Sequence, residues 1–171
     1  MRIVSGVLSF DSGDIEIYNM DMKKQYSGIK EKIAFIPDSF AYHYNITVEE
    51  YMEFFASCYG FEGLRARQRY TKLLQMLSLD DKMQSLVGSL SRGMQQRLSL
   101  ARALINDPEF IIMDEPTSGL DPKTNYSFKE LIRQLNSEDR TILISSHMLS
   151  ELSELCSDIG VIAVSYTHLT L

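Results

Sequence analysis

The sequence predicts an α/β fold with a mostly parallel sheet and a helical insertion. Short β-branched, apolar runs alternate with amphipathic stretches, which is typical of chains that place helices between parallel strands. Several of these runs are apolar throughout, as strands covered on both faces should be. The chain has 171 residues, 44% of them hydrophobic and 23% charged, which fits one globular domain or most of one.

Five runs have the length and composition of strands. They are residues 15–18, 33–36, 110–113, 141–145 and 159–164. The long interval between the second and third runs predicts helices instead, because apolar residues there recur at helical spacing.

The helical insertion begins with a clear start signal. Thr47, followed three residues later by Glu50, predicts a capping box. Aromatic residues are concentrated in and just before this region, and they either pack in a core or form a docking surface. They are Tyr42, Tyr44, Tyr51, Phe54, Phe55, Tyr59 and Phe61.

Composition excludes several classes of function. The net charge of −6 gives no basic footprint for nucleic acid, so we expect no nucleic-acid partner. No apolar run approaches the roughly 18 residues that cross a bilayer. Cys58 and Cys156 lie far apart without a CxxC motif, so we expect ordinary thiols, buried or half-buried, and no zinc site.

Two acids end the third predicted strand, in the run FIIMDE. Open α/β sheets place ligands at the carboxyl ends of their strands. In nucleotide hydrolysis Asp114 would hold Mg²⁺, directly or through water, and Glu115 would orient and deprotonate the attacking water. Taken alone, this pattern is also common in strands without catalytic function.

Two predicted helix starts flank this strand in sequence. In LSRGM, Ser91 predicts an N-cap and Gly93 permits close backbone approach, so the helix start offers N–H groups to an anion. In SGLDP, Asp121 predicts a cap and Pro122 the first helical position. Each motif by itself is also explained as a capped surface helix.

The order and spacing of four motifs are more specific than any one of them. LSRGMQQR, FIIMDEP, TSGLDP and a strand ending in Ser145, Ser146 and His147 together resemble the ATP-binding cassette (ABC) ATPases. The resemblance implies a P-loop NTPase-like core with a helical subdomain. It also implies a dimer that closes over two ATP molecules, with Mg²⁺ as cofactor.

The resemblance assigns the phosphate-clasping signature motif to Ser91, Arg92, Gly93 and Met94, where the usual form is LSGGQ. In the family this motif clasps the γ-phosphate of ATP that a partner domain holds. Asp121 matches the loop that communicates across the dimer.

The resemblance assigns catalysis and metal binding to other positions. Asp114 and Glu115 match the metal and general-base positions, and His147 matches the switch residue that contacts the γ-phosphate. Asp38 stands where the family usually has Gln, and it would meet Mg²⁺ or its waters through an oxygen.

The resemblance also implies domain bounds. Residues 1–46 and 108–164 form the core, 47–107 form the helical subdomain with the signature helix, and 165–171 form an atypical tail. The run GxxxxGK[ST] does not occur, and residues 1–19 resemble the family's segment just after that loop, so we expect the P-loop to precede residue 1. The 171 residues alone are then expected neither to bind ATP tightly nor to hydrolyse it.

The resemblance favours the ATPase subunit of a membrane transporter, and LSRGM favours an exporter. Its partners would be transmembrane permease subunits and a second nucleotide-binding domain, at the cytoplasmic face of the cell membrane. One alternative is a soluble ABC protein acting on ribosomes or DNA, which usually carries tandem cassettes or a long coiled coil. Another is a non-catalytic remnant that only docks on a partner. An in-frame P-loop upstream and an adjacent gene with about six hydrophobic spans would support the transporter.

Overall fold

The architecture comes from a computed structural model that describes residues 1–38, 45–137 and 140–161. Within these ranges, two sheets and six α-helices occur along the chain. The α/β fold with a parallel sheet, predicted from the alternation of strands and helices, is confirmed.

The first sheet is a small antiparallel hairpin. Strands β1 (Glu16–Ile17) and β2 (Met20–Asp21) pair across a two-residue turn. Tyr18 and Asn19 in that turn have φ of 53° and 58°, as a tight hairpin turn requires. The predicted strand at 15–18 is therefore present but shorter.

The second sheet is parallel and lies at the centre of the domain. It contains β3 (Ile33–Ile36), β4 (Phe110–Asp114) and β5 (Thr141–Ser145), in the order β3-β4-β5. These three strands confirm the predictions at 33–36, 110–113 and 141–145. In β4, Ile111, Ile112 and Met113 are fully buried, as the apolar run predicts for a central strand.

Six α-helices of the described chain surround the sheets. They are α1 (Tyr26–Lys32), α2 (Val48–Cys58), α3 (Gly63–Met76), α4 (Arg92–Ala103), α5 (Pro122–Asn136) and α6 (Leu149–Leu155). Short 3₁₀ turns at Asp80–Lys82 and Val87–Ser89 connect α3 to α4. Helices α2, α3 and α4 pack through one continuous core with β4 and α5.

The capping box predicted for the insertion is present at α2. The Thr47 amide donates to Glu50 Oε2 at 2.7 Å, and the Glu50 amide donates to Thr47 Oγ1 at 3.2 Å. The aromatic residues divide between the two interpretations. Tyr51 is buried in the core, whereas Phe54 and Tyr59 are 60% and 42% exposed. Tyr42 and Tyr44 lie outside the described residues.

Two predictions need correction. Residues 159–161 do not form a strand: Ile159 and Val161 are exposed, and no described strand pairs with them. Residues 162–164 of that predicted strand, and the tail 165–171, lie outside the described residues. Cys58 is exposed rather than buried, because it lies in the last turn of α2 on the solvent side, while Cys156 is half-buried as expected. In the described ranges, no helix has the length and apolarity to cross a membrane.

Candidate functional site

The candidate site lies at the carboxyl edge of the parallel sheet. The register pairs Ile36 with Met113 and Asp114 with Ser145, so the ends of all three strands lie side by side. The sequence predicts polar residues after each of these strands. The sheet therefore brings residues 38, 114–115 and 145–147 to one edge.

Asp114 is held in place by the neighbouring strand. Ser145 Oγ donates a hydrogen bond to Asp114 Oδ1 at 2.6 Å. The same hydroxyl accepts from the Glu115 amide at 3.1 Å, and the Ser145 carbonyl accepts from that amide at 3.2 Å. Ser145 thus fixes both the carboxylate of Asp114 and the backbone of the next residue.

Glu115 leaves the strand in an unusual conformation. Its φ is 48°, in the left-handed region that non-glycine residues rarely adopt and that is frequent at functional sites. The turn directs the carboxylate to the imidazole of His147, with 2.9 Å between Glu115 Oε2 and His147 Nδ1. Glu115 is 27% exposed and His147 is 70% exposed, so the pair opens to solvent.

A second group of predicted residues lies at the start of α4. Ser91 is the N-cap, and its hydroxyl accepts from the Met94 amide at 3.4 Å. Gly93 packs directly on α5, where a methyl group in its place would overlap the methyl of Thr124. The predicted close backbone approach at Gly93 is therefore an approach to a neighbouring helix.

The start of α5 adjoins the start of α4. Asp121 caps α5 by accepting a hydrogen bond from the Thr124 amide at 3.1 Å. Hydrogen bonding from the side chain and backbone of Thr124 lowers the pKa of Asp121. Gly119 in the preceding turn has φ of 68°, and a side chain there would overlap the Arg92 guanidinium. Arg92 therefore lies over the turn that leads to Asp121.

Asp38 follows β3 by two residues. Its carboxylate lies 3.7 Å from Arg2 Nη2, and its side chain is 46% exposed. The strand register places it at the same edge as Asp114 and Glu115.

Glu151, which was not predicted from sequence, connects three segments of the site by hydrogen bonds. This buried carboxylate on α6 accepts from Thr117 Oγ1 and Asn125 Nδ2, each at 2.7 Å, and from Ser146 Oγ at 3.4 Å. Burial raises its pKa, but the hydrogen bonds and the Lys129 charge outweigh burial and hold the pKa of Glu151 below its ordinary value. It therefore joins the loop after β4, the helix α5 and the loop that carries His147.

The structure thus brings Asp114, Glu115 and His147 together at the strand ends, with Asp38 at the same edge. The remaining predicted residues, Ser91–Met94 and Asp121, lie at two helix starts. Within the described parts of the chain, no hydrogen bond joins the two groups. The first group can hold a hydrated cation and activate water. The second presents helix N–H groups that suit an anion.

Comparison with known proteins finds related sequences. The family model described as ABC transporter matches residues 1–118. The linearmycin resistance ATP-binding protein LnrL of Bacillus subtilis is 32% identical over 162 residues, which are 95% of this chain and 52% of that protein. The ABC transporter ATP-binding protein NatA of the same organism is 34% identical, over 93% of this chain and 65% of that protein.

Further relatives and a solved structure extend the comparison. A Nod factor export ATP-binding protein I of Burkholderia orbicola is 33% identical, over 95% of this chain and 53% of that protein. A solved ATP-binding subunit of an ABC transporter superposes with a TM-score of 0.75 at 25% identity, over 91% of this chain and 65% of the other. The chain spans about half to two thirds of the length of these relatives.

Proposed function

Since the chain belongs to the ABC transporter family, we propose that it is part of the ATP-binding and ATP-hydrolysing subunit of a membrane exporter. The geometry at the strand ends supports the hydrolytic role. The names of two relatives, which refer to Nod factor export and to linearmycin resistance, support export. The partners in this proposal are permease subunits in the membrane and a second nucleotide-binding domain, with the chain at the inner face of the cell membrane.

The observation that carries the proposal is the 2.9 Å contact between the Glu115 carboxylate and the His147 imidazole, directly after Asp114. A carboxylate at a strand end is placed to accept a proton from water. When its Nδ1–H donates to Glu115, the imidazole holds that carboxylate in one orientation. A protonated His147 also offers its Nε2–H to a phosphate oxygen. Glu115 is then the general base and His147 the γ-phosphate contact.

Asp114 fits a Mg²⁺ ligand. Mg²⁺ commonly uses one or two protein carboxylates and fills its remaining positions with water and substrate phosphates. The ion would neutralise charge on the phosphates, with Asp114 holding it and Asp38 meeting its waters.

The two helix starts fit the other half of a phosphate site. The α4 start presents the backbone amides of Arg92 and Gly93 beside the Ser91 cap, which takes the amide of Met94. Arg92 makes no hydrogen bond or ion pair to another described residue, so its guanidinium can still bind an anion. In the proposed dimer these residues clasp the γ-phosphate of ATP held by the partner, and Asp121 relays closure across the interface.

The first experiment is a calorimetric titration of the 171-residue chain with Mg·ATP. We expect no binding in the micromolar range, because these residues lack the backbone loop and lysine that cradle phosphates in P-loop proteins. Micromolar binding would show that the described site holds nucleotide without that loop.

The second experiment tests hydrolysis. A P-loop-bearing amino-terminal segment from one of the relatives is joined before residue 1, and turnover is measured for the parent chimera and for Glu115→Gln. We expect kcat to fall by a factor of about 10² to 10⁴, the usual contribution of a positioned general base. Glu109→Gln is the matched control, since Glu109 precedes the same strand at its other end. Full turnover in Glu115→Gln would refute the assignment.

A further inference from the structure

A cavity of about 410 Å³ lies on the other side of the domain from the candidate site. Helix α3 forms one wall, and the segments that lead into β4 and β5 form the other. Asp107 lies three residues before β4, and Arg140 directly precedes β5, so the cavity is at the amino edge of the sheet. With strands of five residues, the two edges are separated by about 15 Å.

Positive charge is concentrated around this cavity. Arg65, Arg69 and Lys72 recur at positions i, i+4 and i+7 on one face of α3, and Arg140 faces them. Among the described residues that line the cavity, Asp107 is the only acid. Cations therefore outnumber acids four to one among the described lining residues, in a chain whose net charge is −6.

Two of these cations have fixed positions. Arg69 Nε donates to the Ile105 carbonyl, and its guanidinium carbon lies 4.8 Å from the centroid of the Phe61 ring. Arg140 Nη2 lies 2.6 Å from Asp107 Oδ1 and its side chain is only 16% exposed. These contacts build a rigid cationic wall.

The other two cations are available to a ligand. Arg65 and Lys72 are exposed, and within the described chain neither makes a hydrogen bond or an ion pair. Long cationic side chains at the rim of a cavity can close on an anionic group, and their hydrogen bonds to it are charge-assisted.

The floor of the cavity is apolar. Leu104 and Leu135 are 4% and 2% exposed, and Leu73 and Met76 pack partly buried beside them. A volume of about 410 Å³ is within the range of small-molecule sites, which combine apolar walls with a few placed polar groups.

We propose that this cavity binds a small anionic amphiphile, whose phosphate or carboxylate meets Arg65 and Lys72 at the rim while its apolar part covers the floor. Charge complementarity selects the anionic group, and the buried leucines select the apolar part. The site is separate from the proposed ATP site, so either assignment can fail without the other.

The test uses monomeric octyl phosphate below its critical micelle concentration, titrated into the full chain and followed by calorimetry. We expect a dissociation constant on the order of 0.1 mM, as the size of the probe allows. Inorganic phosphate and octanol, each carrying half of the chemistry, should bind at least about tenfold more weakly. An affinity for inorganic phosphate equal to that for octyl phosphate would overturn the proposal.

Substitutions on α3 test whether Arg65 and Lys72 bind the phosphate group. The double variant Arg65→Gln with Lys72→Gln should weaken octyl phosphate binding about tenfold or more, because both free cations are removed. Arg67→Gln is the matched control: Arg67 lies on the same helix, does not line the cavity and is 3.5 Å from Glu49. Its affinity should stay within about twofold of the parent. Equal affinity of the double variant and the parent would refute the assignment.

The headgroup of a membrane lipid offers the same anionic and apolar groups as a dissolved amphiphile. Co-sedimentation with phosphatidylglycerol vesicles distinguishes binding to a membrane from binding of a dissolved amphiphile. We expect the double variant of Arg65 and Lys72 to leave co-sedimentation unchanged while it lowers the affinity for octyl phosphate. Loss of vesicle binding in the double variant, with no binding of monomeric octyl phosphate by the parent, would overturn the cavity site in favour of a membrane-facing surface.

Discussion

The two edges of the parallel sheet are built from the same strands and differ in chemistry. At the carboxyl edge, Asp114 and Glu115 are held by several hydrogen bonds from a neighbouring strand and loop. The amino edge instead carries single ion pairs, such as the exposed pair of Lys32 with Glu109, and the cationic cavity. Polar groups that must be positioned are therefore tied by networks, whereas those that only close a loop are paired at the surface.

The two edges also differ in the contacts that hold a residue with a left-handed φ. Glu115 at the carboxyl edge adopts a left-handed φ, which costs of the order of 1 kcal/mol or more and persists only where surrounding contacts impose it. The amide hydrogen bonds to Ser145 impose it here. At the amino edge, Asp107 also has a left-handed φ of 52°, and its carboxylate pairs with Arg140. Each edge thus turns the chain at an acid, and a different contact holds each turn.

The largest expected effect concerns the strand that both edges share. Ile111→Ala should lower the free energy of unfolding by about 2–5 kcal/mol, since Ile111 is fully buried and its removal leaves a cavity. The matched change is Ile142→Ala, at the residue paired with Ile111 on β5, where the side chain is only partly buried. Chemical denaturation should give a clearly smaller loss there. Equal losses would mean that β5 is as well packed as β4.

The second prediction concerns the network at the carboxyl edge. Glu151→Gln should cost about 1–3 kcal/mol at neutral pH, because an amide places a donor where Thr117 and Asn125 already donate. Glu154→Gln on the same helix is the control, because Glu154 is 59% exposed in its pair with Lys129 and solvent screens that pair. Urea denaturation should show a clearly smaller loss for the control, and equal losses would contradict the role of the buried network.

The pH dependence of this effect has a definite sign. The pKa of Glu151 in the folded protein is below its ordinary value of 4.5, so its stabilising contribution is complete above that value. The contribution is lost as pH falls through the lowered folded pKa. Urea denaturation should therefore show the parent and Glu151→Gln converging as pH drops below about 4. A difference that stays constant down to a pH of about 2 would show that the charge is not responsible.

The elements specified by local sequence were predicted well. The caps at Thr47, Ser91 and Asp121 agree with the structure, because each depends on neighbours within about four residues. The strands at 33–36, 110–113 and 141–145 also agree, because each carries its own apolar run. The same locality explains why Pro122 begins α5 as expected.

Features that depend on distant segments were not predicted. Glu151 is one acid in the run LSELSEL, and no local pattern shows that it is buried or that Thr117 and Asn125, at least 26 residues away, reach it. The cationic cavity could not be predicted for the same reason, because Arg65 and Arg140 come together only when α3 packs near the amino ends of the strands. The failed strand at 159–161 shows the converse, since an apolar run without a paired neighbour stays irregular.

The third prediction tests the contact between the two helix starts. Gly93→Ala should lower the free energy of unfolding by about 1 kcal/mol, the overpacking against Thr124 outweighing the gain in helix propensity. Thr124→Ser removes the methyl group that is overlapped, so the double variant should recover at least half of the loss. Thermal denaturation of the two single variants and the double variant measures this coupling. Without recovery in the double variant, the close approach of α4 and α5 would not be the cause.

The smallest expected effect is at the amino edge. Lys32 and Glu109 form an ion pair with side chains 38% and 51% exposed, so a double-mutant cycle of Lys32→Gln and Glu109→Gln should give a coupling of about 0.2–1 kcal/mol. Lys32 also contacts the Tyr18 ring. The single variant Lys32→Gln and the double variant both lose this contact, so it cancels in the coupling. At about 1 M salt, where the screening length is about 3 Å, the coupling should nearly vanish. A coupling above about 2 kcal/mol that persists in salt would mean that this pair is held as firmly as the groups at the carboxyl edge, and the contrast between the edges would not hold.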